Sequence, residues 1–201
     1  MTTRLLPNHG EIFSQVYRNN TWLIGSGTGS QEASTAPYRR LLQRLLRRLK
    51  PRLVVDLGCG DWTFSRLLDW RNTHYRGIDV VPSIVARNRR LFGSSRIRFS
   101  RMDLQQRLPP PADLYLLKDV LQHWTDDEVL GFLRRMAGRR MLITNTVPWG
   151  VNRPLEIAGE YRPLDIRLWP FEVRAKALLR YSAAPTDLKL VLLVDPTPRV
   201  A

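Results

Sequence analysis

The run "VVDLGCGDW", residues 54–62, decides the fold. Val54, Val55 and Leu57 favour a buried strand, yet Asp56 stands among them. Gly58, Cys59 and Gly60 then make a turn whose glycines tolerate unusual dihedrals and a close backbone approach, and Asp61 follows. A buried strand has no structural use for carboxylates at its tip, whereas a ligand carrying hydroxyl or amino groups has.

Strand and helix patterns alternate on either side of this turn. Strands are expected from Arg52 to Leu57, Tyr75 to Val80, Arg96 to Met102, Asp113 to Lys118 and Arg139 to Asn145. Helices are expected from Trp62 to Trp70, from Pro82 to about Phe92, and after a Thr125 cap with acids in its first turn. Upstream, "APYRRLLQRLLRRLK" (36–50) places leucines 41, 42, 45, 46 and 49 on one helical stripe with arginines opposite, and Pro51 ends it. The alternation predicts an α/β protein with a doubly wound, mostly parallel sheet. "KALLRYSAAPTDLKLVLLVD" (176–195) reads as a C-terminal antiparallel hairpin turning at Pro185, Thr186 and Asp187, although its first half also suits a helix. Residues 1–35 include the Gly, Ser and Thr-rich "NNTWLIGSGTGSQEAST" and read as an N-terminal lid on a main domain of 36–201. The connection from Thr146 to Pro170 is long enough to suggest function.

Composition narrows the class. The chain has 201 residues, 43% hydrophobic and 25% charged, as a globular protein has, with no apolar run near the roughly 20 residues that cross a bilayer. The N-terminus lacks the apolar core and cleavage site of a secretory signal, which predicts a cytoplasmic location. One cysteine and three scattered histidines supply neither an internal disulfide nor a metal site of the usual spacing. The 32 Lys+Arg against 18 Asp+Glu leave a formal charge of +14. This suits a nucleic-acid partner, but only four of the cations are lysines, and an arginine excess spread over the whole chain is also what a GC-rich genome produces.

In an open parallel sheet, ligands bind beyond the carboxyl ends of the strands. Those ends carry Asp56 and Asp61, then Asp79, then Asp103, then Lys118 and Asp119 with His123 and Trp124 just after. Asp79 falls 19 residues after Gly60, the position from which a carboxylate grips ribose hydroxyls. A dinucleotide would need G-x-G-x-x-G and a helix N-terminus for its pyrophosphate. Here the third glycine is Thr63, and Asp61 would repel the phosphates. A sulfonium nucleotide, positively charged and free of phosphate, suits these acids better.

"VVDLGCGD", "GIDVV", "RMDLQQRLP" and "DLYLLKDVLQHW" together resemble the successive motifs of class I S-adenosylmethionine-dependent methyltransferases, over roughly residues 36–145. The wider pattern, "IF..VY..N.TW...SGTGS" and "GEYRPLDI..WPF", is similar to a group of small bacterial members. The resemblance implies a Rossmann-like methyltransferase fold. It implies that Asp56, Gly58, Cys59, Gly60 and Asp61 line the methionine moiety and that Asp79 and Val80 meet ribose and adenine. Met102, Asp103 and Leu104 would meet the adenine edge, with Lys118 and Asp119 beneath the methyl group and Trp22 and Ser26–Ser30 folding over as a lid.

His123 or Asp119 is the candidate base for a hydroxyl or amine acceptor; His123 also reads as a packed residue that shapes the pocket. Trp124 is expected as a wall for a flat substrate, and Arg162, of the loop arginines 153, 162 and 167, as the anchor for an anionic one. His9 and His74 are expected at the surface. The absence of an Asn-Pro-Pro-aromatic run disfavours adenine or glutamine methylation, and the placement of Cys59 disfavours attack on a pyrimidine carbon. Three functions stay open: methyl transfer to O or N of a small molecule, possible in specialised metabolism; methyl transfer to RNA; and a non-catalytic cofactor-binding protein. The oligomeric state is not legible.

Overall fold

The computed structural model describes residues 8–184 and 187–196. Seven strands, β1 (Leu53–Leu57), β2 (His74–Asp79), β3 (Ile97–Arg101), β4 (Leu114–Lys118), β5 (Met141–Thr146), β6 (Lys176–Ala184) and β7 (Asp187–Val194), form one sheet in the order β3-β2-β1-β4-β5-β7-β6. The first five run parallel, and β7 lies antiparallel between β5 and β6. The hairpin therefore forms as expected from the sequence; of its expected turn, Pro185 and Thr186 lie outside the described residues, and Asp187 opens β7.

Because side chains alternate across a strand, the sheet separates two cores. Val54, Tyr75, Leu114, Leu116 and Leu142 face one side with the leucines of α2 (Ala36–Leu49). Val55, Leu57, Tyr115, Leu117 and Ile143 face the other with Val129 and Phe132 of α4 (Asp126–Arg135). The latter helix starts where the sequence says it should: Thr125 and Glu128 exchange a capping box. Between β2 and β3 runs α3 (Pro82–Phe92). Strand order reverses between β1 and β4, which opens a crevice at their carboxyl ends.

Two local expectations fail for identifiable reasons. Trp62 to Trp70 forms no α-helix; Trp62 takes φ 61° and only Ser65–Leu67 makes a short 3-10 turn. Positions 62, 64, 68 and 70 would scatter around a helix, whereas the irregular path buries Trp62, Phe64, Leu68 and Trp70 in one core. Trp62 packs against Tyr75, Phe92 and Phe99 at ring separations of 5.5, 5.0 and 5.3 Å. Conversely, the N-terminal segment contains a helix, α1 (His9–Arg18), capped by the Asn8 side chain.

Gly77 shows how tightly this region is filled. A Cβ there would come within 2.7 Å of the Phe99 ring and 2.8 Å of Cys59 Sγ. Overpacking of this kind costs about 1–3 kcal/mol, so Gly77→Ala is expected to lower the urea midpoint without changing the slope. An unchanged midpoint would mean that Phe99 and Cys59 move aside freely.

Candidate active site

The glycine turn is sewn to β2. The amides of Gly58 and Cys59 both donate to the Ile78 carbonyl, at 2.8 and 3.0 Å. Gly58 and Gly60 hold φ 76° and 54°, a region that disfavours any side chain. Asp79 receives the Gly60 amide on one carboxylate oxygen (2.9 Å) and the Val81 amide on the other (3.0 Å). Asn88 of α3 donates to the Gly60 carbonyl. Asp56, buried at the tip of β1, accepts the Tyr75 hydroxyl at 2.6 Å. Burial pushes its carboxyl up to about 6, and burial raises Asp79 too, against the pull of its backbone donors.

The N-terminal segment covers these tips. Ser26 donates its amide to Asp61 (3.2 Å) and its hydroxyl accepts the Asp61 amide (2.9 Å), while Tyr17 and Ser26 share a hydrogen bond of 2.7 Å. Lys118 donates to the Gly29 carbonyl at 2.9 Å. A cavity of about 410 Å³ lies beneath, within the roughly 300–1,000 Å³ usual for small-molecule sites. Trp22, Asp56, Gly58, Cys59, Gly60, Asp61, Asp79, Val80, Met102, Asp103, Leu104, Lys118, Asp119, His123 and Trp124 all line it.

At the floor, Asp119 sits in the left-handed region, φ 59°, between two lysines. It pairs with Lys118 on one oxygen and with Lys189 on the other, at 2.8 Å. Lys189 also reaches Thr146 (2.8 Å) and Asp187 (3.1 Å). Burial works against the Asp119 charge, but the two ammonium groups outweigh it and hold the carboxyl below its usual range. Burial, with the neighbouring Lys189 charge, lowers Lys118 against the pull of Asp119 and Asp187; Lys189 bonds to both of those carboxylates, which raise it despite burial. Asp119 thus ties the two lysines together across the cavity lining.

His123 lies in a 3-10 turn (Leu121–His123) just after β4, 8% exposed. Its Nδ1 is 3.0 Å from the Glu160 carbonyl; a carbonyl only accepts, so Nδ1 carries the hydrogen and Nε2 is left with a free lone pair. Burial lowers its pKa below the ordinary histidine value, keeping the ring neutral. Phe13, Trp22 and Tyr161 surround it at centroid distances of 6.2, 5.4 and 5.9 Å.

Two expectations need correction. Arg162 does not line the cavity: it is buried, paired with Asp126, bonded to the carbonyls of Arg153 and Trp124, and stacked over Phe171. Its charge is consumed in fixing the long loop to α4. His9 is buried rather than at the surface, 2.8 Å from Glu128. Arg167 pairs with Asp165, and Arg153 and His74 are exposed. Residues overlooked in the sequence include Lys189 and Asp187, two apart on one strand and so on one face, and Phe13 and Tyr17, which with His9 recur every four residues on α1.

Replacing Asp119 by asparagine keeps the shape and the tolerance of positive φ but leaves two buried ammonium groups against fewer carboxylates. Breaking such a buried pair costs about 3–5 kcal/mol. Asp119→Asn is therefore expected to lower stability by that order in urea unfolding; a loss near zero would show that the lysines find other partners.

Residues 54–140 match the family model of a methyltransferase domain. Acetylserotonin O-methyltransferase of Mus musculus is 31% identical over 139 residues, which are 63% of this chain and 35% of that relative, so the chain spans about a third of the relative's length. The Burkholderia thailandensis 1,6-didemethyltoxoflavin-N1-methyltransferase, solved with 1,6-didemethyltoxoflavin and S-adenosylhomocysteine, superposes at a TM-score of 0.68 with 17% identity, covering 98% of this chain and 93% of that one. The DhpI–S-adenosylhomocysteine complex superposes at 0.58 with 21% identity, covering 95% and 99%. Among the described residues no helix is long and apolar enough to cross a membrane, and no cluster of three or more His, Cys, Asp and Glu could hold a metal ion. With the motif order and the sheet order in agreement with the matched model, residues 54–140 form a methyltransferase domain, and the chain has the fold of these solved methyltransferases.

Proposed function

We propose that this protein transfers a methyl group from S-adenosylmethionine to an oxygen or nitrogen of a small acceptor. The observation that carries this reading is the convergence of Asp56, Asp61, Asp79 and Asp103 from three successive strand ends on one cavity. The residues fit that cofactor and not a dinucleotide. No α-helix follows the glycine turn, only the three-residue Ser65–Leu67 turn, so a pyrophosphate would lack its helix N-terminus. The cavity's two lysines are tied to Asp119.

The cofactor supplies an electrophilic methyl group when bound. Asp79 would hold the ribose hydroxyls, Val80, Met102, Asp103 and Leu104 the adenine, and Asp56 with Gly58–Asp61 the methionine portion, while residues 8–35 act as a lid that excludes water. Displacement at carbon needs alignment above all. His123 completes the site: its free Nε2 accepts the acceptor's proton, and the Glu160 carbonyl fixes the tautomer. RNA is the weaker candidate for the acceptor, because Arg47, Arg48 and Lys50 lie at the end of α2 that leads into the start of β1, opposite the cavity. The likeness to acetylserotonin O-methyltransferase, and to the fold of the 1,6-didemethyltoxoflavin-N1-methyltransferase, supports a small acceptor.

Calorimetric titration with S-adenosylhomocysteine, with NADH as control, tests the cofactor. Binding of the former alone is expected, weakened roughly tenfold or more by Asp79→Asn, the scale of a charge-assisted hydrogen bond; binding of NADH overturns the reading. With an acceptor in hand, a base must be unprotonated to act, so the rate should fall as pH drops through the His123 pKa, below the ordinary histidine range. His123→Gln should lower kcat about 10²–10⁴-fold and abolish that acid limb; retention of the limb would move the base elsewhere.

A further inference from the structure

Gln122, next to His123 and 4% exposed, lines the cavity. Its Oε1 accepts the buried Thr146 amide at 3.0 Å. Only the carbonyl end of the side chain can accept, so this bond fixes the amide's orientation. The Nε2 end then has no partner among the described residues, and it is not among the nitrogen atoms sealed away from solvent. Gln122 belongs to the cavity lining, so the cavity is where this donor can meet a ligand. Two residues of the cavity lining, adjacent in the chain, thus carry a donor, Gln122 Nε2, and an acceptor, His123 Nε2, the latter with the rings of Trp22 and Tyr161 about it.

Resting on the function proposed above, we infer that Gln122 selects the acceptor. It takes a flat ring system whose hydroxyl or amine stands beside a hydrogen-bond acceptor, a carbonyl oxygen or a ring nitrogen. The nucleophile donates to His123 while its neighbour receives the Gln122 N–H, which sets the in-plane orientation of the ring. A ring without that neighbouring atom leaves a desolvated donor unpaired, and sites built to hydrogen-bond a group discriminate strongly against its absence.

The test compares 1-naphthol with 8-hydroxyquinoline and 2-acetyl-1-naphthol, which add a ring nitrogen or a carbonyl beside the same hydroxyl. Each is titrated into the protein saturated with S-adenosylhomocysteine, in the presence of a chelator. At least one of the two substituted probes is expected to bind about fivefold or more tightly than 1-naphthol, the scale of one hydrogen bond. That advantage should vanish in Gln122→Met, whose fold is checked by its unfolding midpoint. Equal affinity of the three, binding of none, or an advantage that survives in Gln122→Met overturns the assignment. The wild-type comparison alone decides it should the variant not fold. Failure to bind S-adenosylhomocysteine at the outset would instead overturn the cofactor reading.

Discussion

The structure depends on how the glycine turn after β1 is fastened to β2. A single carboxylate, Asp79, takes two backbone amides, and one carbonyl, that of Ile78, takes two more. This satisfies the donors of a loop that cannot pair within itself. It also brings the tips of β1 and β2 together with their acids facing the same space. The close fit of Gly77, Cys59 and Phe99 beneath the turn leaves little freedom for the two strands to slide.

Electrostatics divides the cavity into two ends. Around β1 and β2 the acids are buried and raised, so they favour a ligand that brings hydrogen-bond donors or positive charge. Around β4 and β5 the charges are already balanced: two lysines, two aspartates and Thr146 satisfy one another. The first end suits a cationic nucleotide. The second serves as a stiff floor, and it joins the C-terminal hairpin, through Asp187 and Lys189, to the tip of β4.

The N-terminal segment contributes more than cover. His9, Phe13 and Tyr17 turn one face of α1 toward the cavity, and His9 is anchored on Glu128, the residue that also completes the α4 capping box. The long loop after β5 is anchored to the same helix through Arg162 and Asp126. The walls around His123 therefore come from two segments distant in sequence, both seated on the start of α4.

The sequence by itself determined the parallel sheet and its strand ends, because short apolar runs bounded by turn residues and glycine turns are local signals; the first half of the C-terminal hairpin also suited a helix, and its pairing with β7 decided it. The acids at the strand tips were legible for the same reason: each sits at a fixed offset from its strand. The tertiary structure alone decided which charges are free. Arg162 looked available and is buried against Asp126, while Lys189 looked like one residue of an edge hairpin and is part of the cavity floor. It also decided that Trp62–Trp70 is irregular, since four large side chains reach one core only off the helix. Pairing and burial depend on which segments meet, and that is settled by packing across the whole chain.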